Sequence, residues 1–143
     1  MMKKIILILA AGFFLQSCVR ENTSTEDLME MAPENAKLIS SGEFMKGPYG
    51  NNIGGKAKIY EKDGVYTLAF DKDFSVSNGP DLYVYVSTEQ QPNNFISLGK
   101  LKSVNGGQVY TFATKPDLDN YKYAVVHCQQ YNHMFSYALL QKN

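Results

Sequence analysis

Side chains that bind metals or carry electrons are scarce in this chain: its 143 residues include two cysteines and two histidines. Both histidines, His127 and His133, share one stretch with Cys128: YAVVHCQQYNHMFSYALL, residues 123–140. That poverty excludes several chemistries. A structural zinc site needs four nitrogen or sulfur ligands, which are not available. The order Cys128, His133, Met134 suits copper, but a mononuclear copper site needs two histidines and a cysteine in one plane. The first of those histidines normally comes from a distant loop, and no histidine lies elsewhere in the chain. There is no G-x-S-x-G elbow, and no third group is spaced to orient either histidine as a general base. A basic excess is lacking too, so no face suits nucleic acid. Internal repeats and low-complexity tracts are absent.

Long apolar runs are missing except at the start, MMKKIILILAAGFFLQSCVR. Lys3 and Lys4 precede an uncharged run of 11 residues, Ile5 to Leu15, against the roughly 20 needed to span a bilayer. This pattern is that of a signal peptide, residues 1–17. It closes in Leu15-Gln16-Ser17-Cys18, which resembles the lipobox of bacterial lipoproteins. The resemblance implies cleavage before Cys18 and a lipid on its sulfur. Two or more acyl chains anchor stably, so the mature protein is expected to be tethered to a membrane without crossing it. Val19 is not the aspartate of the best-known inner-membrane retention signal, which favours the outer membrane and an extracytoplasmic, periplasmic domain.

Removing 17 of 143 residues leaves 126, with 12 basic and 14 acidic side chains and a formal charge of −2. A chain of that length is one domain and buries roughly two-thirds of its unfolded surface, so it folds without staples. With Cys18 acylated, Cys128 has no intramolecular partner. It is then a buried inert thiol, an intermolecular partner or a working thiol.

Residues 18–35 are polar and acidic and are expected to form a short tether, with a nascent helix around Glu26 to Met31. From residue 36 to 143 short alternating runs separated by Gly, Asn, Pro and Asp predict an all-β domain, a single antiparallel sandwich or barrel. About eight strands are expected: 37–44, 56–61, 65–70, 82–87, 95–101, 108–112, 121–129 and 135–141. Lys62-Asp63-Gly64 and Asn105-Gly106-Gly107 both read as hairpin turns. The ten tyrosines suit cross-strand packing with hydroxyls near water.

Several segments resemble the DM13 domain, also called the electron transfer DM13 domain. They are Gly42-Glu43-Phe44, then Gly55 to Tyr60, Tyr66 to Phe70, Phe74, Leu98 to Leu101 and Gly107 to Tyr110. The specific ones are NGPDLYVYVS, residues 78–87, and VVHCQQYNHMFSYALL around Cys128. The resemblance implies a small extracytoplasmic β-sandwich whose cysteine, here Cys128, has been proposed to act in electron transfer as a bare thiol or a haem ligand. The chain departs from the family at His127, where an aromatic residue, commonly tryptophan, often stands. It departs again in MKGPYGNNIG, where many members carry a histidine and this chain has none.

The residues themselves bear on that role. In a strand over residues 121–129, Ala124, Val126 and Cys128 share one face, and Tyr123, Val125 and His127 the other. His127 therefore cannot join Cys128 on one ligand. The Cys128 face is the more apolar, which predicts an inward, slowly reacting thiol. Asp71, Asp73, Asp81, Asp117 and Asp119 flank strand ends, where aspartate serves turns rather than acid/base or calcium chemistry. Asp81, after Gly79-Pro80, is expected to lock a corner. His133 is expected to be exposed in the last turn, beside Tyr131. No catalytic and no metal-binding residue is identified. One reading is a non-enzymatic binding module with Tyr131, His133 and Asp81 as loop contacts to a protein or small ligand. The other is an electron-transfer or thiol-redox partner using Cys128, with haem as its implied cofactor.

Overall fold

The computed structural model describes residues 22–143; the expected signal peptide and Cys18 lie outside the described residues. Ten strands occur among them: β1 (Ser24–Met29), β2 (Lys37–Lys46), β3 (Lys56–Lys62), β4 (Val65–Phe70), β5 (Leu82–Ser87), β6 (Phe95–Lys100), β7 (Ser103–Thr111), β8 (Tyr123–Cys128), β9 (His133–Leu139) and β10 (Gln141–Lys142). They pair in the order β1-β7-β4-β3-β2-β9-β8-β5-β6, with β10 beside β2, in one sheet that is not closed. Every pairing is antiparallel except β1 on β7.

The sheet doubles over at β2, which is long enough to serve two neighbours. Its Lys37–Glu43 part pairs with β3, and Phe44–Lys46 pair with β9. A single apolar cluster then gathers Ile59 of β3, Leu68 and Phe70 of β4, Val84 of β5, and Val126 and Cys128 of β8. The β3–β4 and β5–β8 pairs are not hydrogen-bonded to each other, so these side chains meet face to face and the fold is a sandwich. Phe44, Phe70 and Phe74 pack at its centre with ring centroids 4.6–5.0 Å apart. The expected all-β sandwich is therefore the one that forms.

The outer face of the second layer is also apolar. Tyr85, Val125 and Met134 are buried there, with Tyr83, Tyr123 and Tyr137 packed around them. Phe95 stacks on Tyr85 at 4.1 Å. The loop between β5 and β6 reaches the β8–β9 turn, where Gln91 Nε2 donates to Asn132 Oδ1 at 3.3 Å.

The two predicted turns part ways. Asp63 and Gly64 both take positive φ, 52° and 79°, and join β3 to β4 as a tight hairpin. Asn105-Gly106-Gly107 is no turn: it lies inside β7. Gly106 does take positive φ, 86°, but what needs it is the close approach of β1, since a Cβ there would collide with the Leu28 backbone. The nascent helix expected around Glu26–Met31 is likewise replaced, by strand β1. Its backbone is captured from the side: Ser103 Oγ donates to the carbonyls of Ser24 (3.0 Å) and Glu26, and Asn105 Nδ2 to that of Thr25 (3.1 Å). Residues 24–30 of the polar segment thus pack along β7.

Candidate functional site

Cys128 sits where three strands end together. The antiparallel register sets it opposite Leu82 of β5 and His133 of β9, so it underlies the corner made by residues 78–82 and the β8–β9 turn. Asp81 takes φ 58°, and its carbonyl accepts from the Gln129 amide at 3.0 Å, closing that corner. The corner bond that is seen is thus one made by the Asp81 backbone. Asn78 Nδ2 donates to the Thr23 carbonyl at 2.8 Å, and Asn22 bridges to Pro80. The start of the described chain is thereby tied to the same end.

The thiol itself faces inward. Cys128 is 1% exposed and shares the inner face with Ala124 and Val126, within the apolar cluster of both layers. Such a thiol is inert unless the core opens. An iron could reach the sulfur only by displacing core side chains, so the residues around Cys128 do not fit a haem. Among the described residues no group of three His, Cys, Asp or Glu side chains is placed to hold a metal ion, and Cys128 is a free cysteine.

The two histidines are separated from the thiol, each in its own way. His127 lies on the opposite face of β8 and is 3% exposed. Its Nε2 lies 2.8 Å from Asn132 Oδ1. An amide oxygen only accepts, so Nε2 carries the hydrogen and Nδ1, which has no partner, is left as a bare acceptor. Burial holds His127 below the ordinary histidine range; the Asn132 bond opposes this and nearby His133 adds to it. His133 departs from expectation. It opens β9 and is half-buried rather than exposed, because Tyr49 stacks on its ring at 3.5 Å, nearly parallel at 3°. The Tyr131 ring stands 5.9 Å from it, tilted by 31°, and is exposed.

Asp81, Tyr131 and His133 therefore come together at one end of the sandwich, above the buried Cys128. That end holds an open cleft of about 890 Å³, lined by Asn22, Ser24, Asp81, Tyr83, Lys100 and Gln129 among others. Sequence reading missed Tyr49, Lys100 and Asn22, which reach this end from three different segments. Of the other aspartates, Asp71 and Asp117 accept amide hydrogens at turns, whereas the side chains of Asp73 and Asp119 pair with lysines. Asp71 Oδ1 accepts from the amides of Lys56 (3.1 Å) and Asp73 (3.2 Å). Asp117 accepts from the Asp119 amide (3.2 Å) and Asn120 Nδ2 (2.7 Å). Asp119 pairs with Lys142.

A family model described as electron transfer DM13 matches residues 45–140. No curated protein and no solved structure matches the chain.

Proposed function

The chain belongs to the electron transfer DM13 family, and within that family we propose that it serves as a lipid-anchored, extracytoplasmic binding module without catalytic activity. Acylated Cys18 is the anchor, the outer membrane its preferred site, and the end bearing Asp81, Tyr131 and His133 the contact surface. The observation that carries this reading is the burial of Cys128 between the two layers. A thiol that exchanges electrons or disulfides must be reached by its partner, and low exposure opposes that. The competing reading, electron transfer through Cys128 as a bare thiol or a haem ligand, has the family's description in its favour.

Thiol counting separates the two. In the full-length protein with Cys18 acylated, a maleimide reagent should label nothing in buffer and one cysteine in denaturant. Rapid native labelling of Cys128, or a Soret band that appears with added haem and disappears in Cys128→Ser, would establish the electron-transfer reading instead. The anchor is tested independently by fractionation. Wild type should sediment with membranes and Cys18→Ser should be soluble; two soluble proteins would remove the anchor.

A further inference from the structure

We infer that the end carrying the cleft lies on the bilayer surface, and that the cleft receives a phospholipid headgroup with Lys100 as the cation for its phosphate. This rests on the anchoring proposed above and adds what that surface binds. The argument begins with covalent reach. Asn22 stands four positions after Cys18, and a fully extended chain covers at most about 14 Å over those four steps. A domain of this size has a radius of gyration of about 14 Å, so so short a link cannot carry its far end round to the membrane. The end that holds Asn22 must be the near one, and Asn22 is fixed there by its bridge to Pro80 and by the bond from Asn78 to Thr23.

The chemistry of that end agrees. Its cleft opens beside Asn22 and Thr23 and presents Lys100 with Asp81, both signs of charge as in a zwitterionic headgroup. Outside the cleft, on the β8–β9 turn that follows its Gln129, Tyr131 is about half exposed, as is Tyr49, and both contact the His133 ring. Tyrosine has an apolar body and a polar tip, which suits it to the level of the headgroups. The opposite end carries both signs of charge too: Asp117 and Asp119 line a recess there with Lys122, and Asp119 pairs with Lys142, so it is covalent reach and not charge that chooses between the ends.

Hydrogen exchange on the full-length acylated protein tests the orientation. The probe is a nanodisc of phosphatidylethanolamine and phosphatidylglycerol, and the reference is Cys18→Ser protein free in buffer. Amides in residues 77–82, 100–102 and 129–133 should slow several-fold on the disc, while those in 88–94 and 113–121 stay unchanged. Lys100→Glu in the acylated protein should keep its disc attachment and melting temperature but lose that slowing. An acylated protein slowed at the opposite end, or nowhere, overturns the inference and leaves the anchor standing. Full slowing in Lys100→Glu overturns the phosphate contact. A Cys18 without acyl mass overturns anchor and inference together.

Discussion

The sulfur of Cys128 occupies a position whose strand neighbours on the same face, Ala124 and Val126, are both fully buried. In such a place a thiol acts as a small apolar side chain. Cys128→Ser puts a hydroxyl there and should cost about 1–3 kcal/mol if it finds no acceptor, whereas Cys128→Ala leaves no polar group behind. Urea unfolding of both variants checks this; a serine variant as stable as wild type would mean that the site is wet. One residue earlier, His127 makes stability depend on pH. Its folded imidazole stays neutral because burial disfavours the cation, while an unfolded histidine protonates near pH 6.5. Below about pH 6.5 the unfolded chain therefore binds the extra proton, and stability falls as pH drops toward the lower folded value. His127→Phe removes both this group and its unpartnered Nδ1. The loss of stability between about pH 7.5 and about pH 5.5 should be smaller in that variant than in wild type. Equal losses would place the acid sensitivity elsewhere.

Among the elements, the sequence concealed β1 and the two-residue β10, and β1 is the one of consequence. STEDLM has no apolar alternation, and its side chains are mostly exposed, so nothing local marks it as a strand. What holds it are its ladder on β7, bonds from Ser103 and Asn105, the bond from Asn78 to Thr23 just before it and a clamp at its end. There the Glu30 carboxylate accepts from the Val109 amide at 2.8 Å and from Lys102 at 2.8 and 3.1 Å. The Lys102 bond does most to hold Glu30 below the usual carboxylate range, against a smaller opposing effect of burial. The clamp therefore contributes at neutral pH and is lost as pH falls through the lowered folded value. Both side chains are about 40% exposed, so solvent weakens the pair, and Glu30→Gln should cost only about 0.5–1 kcal/mol. That loss should appear as faster amide exchange across β1 with an almost unchanged exchange rate in β3 and β4. Unaltered β1 exchange would mean that the backbone ladder alone holds the strand. The same element explains what could be read beforehand. The eight strands with alternating or apolar runs were legible because burial writes a period of two into the residues. Gly106-Gly107 was misleading because a positive φ looks the same in a hairpin and in a strand that another backbone approaches closely. At the candidate site Cys128's inward face followed from alternation alone. The stacking of Tyr49 on His133 joins residues 84 positions apart, and only the topology brings them together.

For the whole molecule the decisive feature is that β2 belongs to both layers. The core has no boundary at which one layer could part from the other: Phe44 of β2 touches Phe70 and Phe74, while its strand neighbour across the sheet is Ala138 of β9. Strands far apart in the chain, such as β2 with β9 and β10, must pair before either layer has two covered faces. Folding should then be slow for a chain of this length, in the millisecond-to-second range typical of non-local β topologies. Unfolding should be all-or-none. Hydrogen exchange in rising urea reports on the two layers separately, through the amides of β5 and β8 in the second and of β3 and β4 in the first. Ile59→Ala empties a fully buried position of β3 and should cost about 2–5 kcal/mol. If the layers form one unit, that single truncation moves the urea midpoint of the β5–β8 amides as far as that of the β3–β4 amides, although no residue of the second layer was changed. Separate midpoints would show that β2 is a hinge between two independently stable layers.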